Sequence, residues 1–285
     1  MLLLMLVSFG SSCTAERSKE LHSVSEKQEV RYAKHFSMSR RDGCTSLRVF
    51  RPTASGSVLM FSYLLVPESR SVPPHERDVI VVRTPLKSVT CESGFQVSLL
   101  ELLGCADALV GVSGTVRVGQ DDLHRRIERG ELAVTGFMQS TNMEVLVKLS
   151  PEMVFVNTSS VVSDISEKLQ TYGLTPAVFS ASFEEHPLAA LEWIRFVGAL
   201  FEKDRLADAI FRDRERMYLE MQKKAAGLKS RPSVIAGYGR GGSWSTMGSS
   251  PWFIAMLDHA GADYLFRGRA LERGHLLGQI GRAHV

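Results

Sequence analysis

The sequence has no apolar run near the ~20 residues that a membrane-spanning helix needs. It has no Cys-x-x-Cys pair, and its eight histidines show no spacing that would hold a metal by side chains alone. Charge of one sign is also missing. The 34 basic and 31 acidic residues leave a formal +3 with no basic stripe, which excludes the electrostatic footprint of a nucleic-acid binder. The one basic cluster, Arg212, Arg214 and Arg216, alternates with Asp213 and Glu215 and reads as a solvated helix face. No Gly-x-Ser-x-Gly elbow or spaced acid pair stands out. A hydrolase would have to assemble its nucleophile and base from scattered serines and Asp258-His259.

What is present is ordinary globular material. The chain has 285 residues, 44% hydrophobic and 23% charged, enough for two modest domains. The first thirteen residues differ from the rest. Residues 1–6 are wholly apolar, and small residues then lead to Ser11, Ser12 and Cys13. A short apolar core followed by small residues reads as an export signal. A cysteine at its end reads as a lipidation site, and the alternative is a secretion signal with an incidental Cys13. Gly10 stands where such sites usually carry Leu. No Lys or Arg precedes the apolar stretch, so the start is expected upstream. Acyl chains on Cys13 would hold the protein at a membrane surface. The remaining Cys44, Cys91 and Cys105 are odd in number, so at least one is unpaired. Cys105, after Leu102-Leu103-Gly104, reads as a small buried apolar residue.

Residues 14–27 are polar and read as a tether. From residue 29 to 67 the pattern turns to strands: Tyr32, Lys34, Phe36 and Met38 share a face, and two further apolar runs follow with Gly43 and Gly56 in the turns. Residues 14–77 are thus expected to form a tether and a small strand extension. From Asp78 strands and helices alternate. Val79-Ile80-Val81-Val82-Arg83 reads as a strand covered on both faces. Helices over 95–103, 122–129, 143–149 and 162–172 interleave with strands over 108–112, 153–156 and 177–179. Such alternation predicts a parallel sheet with right-handed crossovers, a first α/β lobe over 78–186. An amphipathic helix follows, with Leu191, Ile194, Val197 and Leu200 at helical spacing, and residues 187–203 are expected to connect two lobes. A second helix over 204–228 and a strand from Pro232 open a second α/β unit, expected to run to residue 279.

Several segments, in this order, resemble the iron-siderophore and cobalamin periplasmic binding family of ABC importers. The run 97–112, Val-Ser-Leu-Leu-Glu-Leu-Leu-Gly-Cys-Ala-Asp-Ala-Leu-Val-Gly-Val, is similar to that family's opening helix, Leu-Gly turn and Val-Val-Gly-Val strand. Gly136, Asn142, Glu144, Leu146 and Pro151-Glu152-Met153 resemble its Gly-x-x-Asn-x-Glu and Pro-Asp-apolar steps. Leu169, Tyr172-Gly173-Leu174 and Pro176 resemble its Leu-x-x-x-Gly-Ile-Pro-Val step, and Gly261-Ala262-Asp263-Tyr264 its Gly-Gly-x-Asn step. The likeness covers about residues 78 to 266. It implies an α/β fold of two Rossmann-like lobes joined by a long helical connector. It implies a monomeric, exported solute receptor, not an enzyme. The ligand would be an iron-siderophore, heme or corrinoid, and the partner an ABC permease. No resident cofactor is implied. Two other functions stand beside it: a periplasmic hydrolase, and a chelate-scavenging lipoprotein that works without an importer.

Ligands of open α/β sheets collect beyond the carboxyl ends of the strands. The candidates in the first lobe are therefore Ser93, Gly94 and Phe95, then Ser113, then Phe137 and Met138, then Thr158. Met138 falls where cobalamin-binding relatives carry a stacking aromatic, with Phe137 beside it; both could equally pack under the loop as core. In the second lobe the run 239–245 is expected as a loop. Its glycines admit close backbone approach, Trp244 offers a flat face and Arg240 a cation for an anionic chelate. Burial in the core is the alternative for Trp244. Gly237-x-Gly239-x-x-Gly242 matches a dinucleotide fingerprint literally, but no helix opens after it, as pyrophosphate binding requires. The resemblance makes Glu144 a permease-docking residue. The other reading is a glutamate favoured by a helix N-terminus. Finally, residues 280–285, Ile-Gly-Arg-Ala-His-Val, match one translated frame of a sequencing adapter, so the second lobe is expected to be truncated after Gln279.

Overall fold

The computed structural model describes residues 30–114, 121–136, 140–158, 164–240, 243–246, 250–267 and 276–277. The tether, Cys13 and residues 280–285 lie outside them. The chain opens with an antiparallel meander, β1 (Phe36–Arg41), β2 (Cys44–Thr53) and β3 (Gly56–Pro67). Phe36, Met38, Leu47 and Val49 alternate inward along it. The first strand is shorter than its sequence pattern suggests, because the backbone N–H groups of residues 31–35 go to side chains instead of a neighbouring strand. The carboxylate of buried Glu192 accepts the backbone N–H groups of Arg31, Tyr32 and Ala33 at 2.7–2.9 Å. Buried Glu184 accepts those of Lys34 and His35 at 3.0 and 3.1 Å. Donors that would otherwise need a ladder are satisfied there.

The run 79–83, expected as the first strand of the parallel sheet, joins the meander instead. As β4 (Val79–Thr84) it pairs parallel to β3, from Ser62↔Val79 to Pro67↔Thr84. The parallel sheet begins one strand later. Its members are β5 (Val89–Cys91), β6 (Leu109–Val112), β7 (Ala133–Val134), β8 (Met153–Asn157) and β9 (Pro176–Phe179). Their spatial order is β7-β6-β5-β8-β9, all parallel. Crossovers carry α1 (Gly94–Leu102), α2 (Asp121–Glu128), α3 (Met143–Leu149) and α4 (Asp164–Thr171). The order places β5 beside β8, so the chain winds outward in both directions from that pair.

Helix α5 (Pro187–Leu200), expected as an amphipathic connector, is enclosed on most of its sides. It is the centre of the core, and ten of its fourteen residues are buried. Trp193 lies 4.8 Å from Phe36 and 5.3 Å from Phe179 by ring centroids, touching both sheets. Tyr63 of β3 donates its hydroxyl to Pro176 O at 2.8 Å, which ties the meander to the edge strand of the parallel sheet. Burial pushes the Tyr63 phenol up, so it stays a donor. The long bridging element is α6 (Asp204–Ala226), 23 residues with only Ala207 and Phe211 buried. It turns back against α5 where a Cβ on Gly198 would lie 2.6 Å from Ala207 Cβ, so only glycine permits the approach.

Beyond α6 a second α/β unit follows, which with the first gives the two-lobed plan. Strand β10 (Ser233–Val234) pairs parallel to β13 (Asp263–Tyr264), with α7 (Pro251–His259) between them in sequence. Strands β11 (Gly237–Arg240), β12 (Ser243–Thr246) and β14 (Leu276–Leu277) form a small antiparallel sheet. Cys44, Cys91 and Cys105 are free and buried.

Candidate functional site

The carboxyl ends of β5 and β8 define the point where strand order reverses, the crevice in which open α/β sheets place ligands. The residues there are held by a dense polar network. Ser93 caps α1: its hydroxyl accepts from Gln96 N, while the Gln96 side-chain oxygen accepts from Ser93 N at 3.1 Å and Glu92 N at 2.8 Å. This is a complete capping box. Gln96 is fully buried, and its amide donates across the switch point to Asn157 Oδ1 at 3.2 Å. The link is reciprocal, since Asn157 N donates to Glu92 Oε2 at 2.6 Å. Two adjacent strand ends are thereby locked together, and Glu92 brings a carboxylate to their junction.

Of the residues singled out in the sequence, Ser93, Gly94, Phe95, Ser113 and Thr158 all follow the carboxyl ends of β5, β6 and β8. Their side chains are not equivalent. Ser113 and Thr158 are buried; Ser113 N donates to Cys91 O at 2.9 Å and the Thr158 hydroxyl meets that of Ser180 at 2.9 Å. They support the rim from below. Phe95, in the first turn of α1, is 38% exposed, a large aromatic open to solvent beyond the carboxyl end of β5. Phe137 and Met138 lie outside the described residues. Gly136 has φ +79°, and a Cβ there would fall 2.1 Å from Ser140 O. Asn142 caps α3, accepting from Val145 N at 3.1 Å, and Glu144 is exposed in that helix's first turn.

Arg240 and Trp244 are not on a loop. Gly239 pairs with Trp244 and Arg240 with Ser243 in the β11–β12 hairpin. Gly237 and Gly239 therefore lie in a strand, and among the described residues the next helix begins only at Pro251. Sequence reasoning missed Glu92, Gln96 and Asn157. The Ser93-x-x-Gln96 spacing is a capping-box signature and could have pointed to two of the partners; nothing local marks the cross-strand bond to Asn157. Among the described residues, no group of three His, Cys, Asp or Glu side chains could hold a metal ion. No helix among them is long and apolar enough to cross a membrane.

Comparisons with known proteins agree with this architecture. The chain is 21% identical over 196 residues to an uncharacterized lipoprotein of Methanocaldococcus jannaschii, covering 66% of this chain and 47% of that protein. It thus spans about half the length of the curated relatives it matches. A periplasmic binding protein from Veillonella parvula superposes with a TM-score of 0.58 at 12% identity, over 82% of this chain and 72% of that one. A periplasmic heme binding protein of Vibrio cholerae gives 0.54 at 16% identity over 67% and 70%. The periplasmic vitamin B12 binding protein of the same organism gives 0.52 at 16% over 68% and 71%. Identities this low speak to the fold. The model of the periplasmic binding protein family matches residues 89–281, more than half of the chain. The protein belongs to the periplasmic binding protein family.

Proposed function

We propose that this protein is the solute receptor of an ABC importer. Its ligand is an iron-siderophore, heme or corrinoid, taken up between the lobes at the carboxyl edge of the parallel sheet. The observation that carries this reading is the β5–β8 switch point, where a braced polar rim with an exposed Phe95 opens, in a chain of this family. An apolar aromatic face beside convergent polar groups suits a flat or amide-rich chelate. Phe137, Met138, Arg240 and Trp244 complete the proposed contact set. Glu144 is the proposed permease contact, where an exposed charge orients docking more than it adds affinity. Residues 1–13 are the proposed export signal. Cys13 is the proposed lipid attachment, a reading supported by the lipoprotein description of the archaeal relatives.

A hydrolase reading finds less support. The Thr158 hydroxyl pairs with Ser180, whereas a nucleophile needs a base within reach. Titration of tryptophan fluorescence with heme, cyanocobalamin and ferric siderophores tests the receptor reading. Saturable quenching by one class, without turnover, is expected. A folded protein that responds to none of them contradicts the proposal. Membrane fractionation of Cys13→Ala tests the anchor: release into the soluble fraction is expected, and unchanged attachment refutes it.

A further inference from the structure

A side-chain cluster beyond the carboxyl end of β9 joins four parts of the chain. His186 is the N-cap of α5, and its Nδ1 accepts from Leu188 N at 3.1 Å. Its ring stacks on Tyr32 of the 31–35 segment at 5.3 Å and meets Tyr218 of α6 edge-on at 5.9 Å. The fourth contact is His259, the last residue of α7 in the second lobe, at 5.2 Å between ring centroids. The His259 Nδ1 lies 2.7 Å from the Tyr218 hydroxyl. We propose that the His186–His259 contact is an acid-sensitive latch that holds α7 of the second lobe against the N-terminus of α5.

The chemistry of the two rings differs. A backbone N–H can only donate, so His186 Nδ1 carries no proton while it caps the helix. Protonating it removes the cap, places a positive charge at a helix N-terminus and sets it 5.2 Å from a second imidazole. His259 sits at the C-terminal end of α7, with its Nδ1 beside the Tyr218 hydroxyl. The charged groups around the pair do not neutralise a proton on His186. Glu215 of α6 is bound to the Tyr32 hydroxyl and to Arg31; Glu192 of α5 holds backbone N–H groups and Arg195; Glu184 holds Lys34 and His35 backbone. Glu185 pairs with Lys34, and Asp258, next to His259, pairs with Arg231 and Arg267. Burial and then the neighbouring His259 hold His186 below the ordinary histidine range.

The sign follows from linkage. The latched state binds fewer protons than the open one, so the latch is intact above the ordinary histidine pKa of ~6.5 and weakens as pH falls below it. Opening should rise by up to about tenfold per pH unit there, levelling off below the depressed His186 value. Hydrogen exchange of the whole chain between pH 7.5 and 5.0, corrected for intrinsic chemistry, tests this, with α1 amides as the internal standard. Protection in residues 251–259 should fall relative to α1, and His186→Asn, which keeps a side-chain cap acceptor, should flatten the profile. A flat profile in the unsubstituted protein overturns the latch, and so does a fall that persists in His186→Asn. If that variant does not fold, the imidazole titration of the unsubstituted protein decides: His186 titrating at or above ~6.5 overturns it.

Discussion

Helices α5 and α7 carry similar apolar residues and meet opposite fates. Ten residues of α5 are buried, including Trp193, Phe196 and Leu200; in α7, with Trp252, Phe253, Ile254 and Leu257, none is. The difference lies in what each helix has to pack on. Two sheets close over α5, one of four strands and one of five. Near α7 the strands β10 and β13 are two residues each. Composition makes a helix apolar; only a sheet of sufficient extent makes it buried.

Substitutions can break this contrast. Trp193→Ala should cost about 3–5 kcal/mol, because it empties the contact between both sheets and frees the Glu184 carboxylate bonded to its indole at 3.2 Å. Denaturant unfolding followed by circular dichroism would show it as a lower midpoint. Glu192→Ala should cost about 3 kcal/mol. It removes the acceptor of three backbone donors and one of the carboxylates that hold Arg195, so residues 31–35 should become the first protease-sensitive site. Gln96→Ala should cost about 1–3 kcal/mol, because Ser93 N loses its side-chain acceptor, Asn157 Oδ1 loses the amide donor, and Glu92 N keeps only Phe155 O of its two acceptors. It should also raise the ligand Kd, since the rim loses its brace; an unchanged Kd would separate the network from binding. Met221→Ala, on the 68% exposed face of α6, should change stability by less than about 0.5 kcal/mol. A larger loss there would mean that α6 is covered by something else.

The strength of each sequence signal followed the same contrast. Long periodic elements were readable: α1, α3, α5, α6, β8 and β9 fall within two residues or so of where apolar spacing and glycine stops place them. Two-residue β7 was invisible, because no alternation fits in so short a strand. The run 79–83 read as a parallel strand and is one, but the pattern could not say which sheet it joins. Pairing partners are set by tertiary contacts such as Tyr63 with Pro176. Glycines at 239, 241 and 242 suggested a loop over 239–245, whereas residues 237–240 and 243–246 are paired strands. At the site, strand-end positions such as Ser93, Ser113 and Thr158 could be located from strand ends alone. Whether each lies open or buried could not, and that is what separates exposed Phe95 from buried Thr158.

The central claim is that ligand enters at the β5–β8 switch point. Hydrogen exchange measured with and without the chelate that quenches tryptophan fluorescence tests it most directly. Ligand-dependent protection is expected to concentrate in residues 92–96, 113–114 and 157–158. Protection that leaves these segments unchanged and appears only at the opposite, amino-terminal ends of the strands would contradict it.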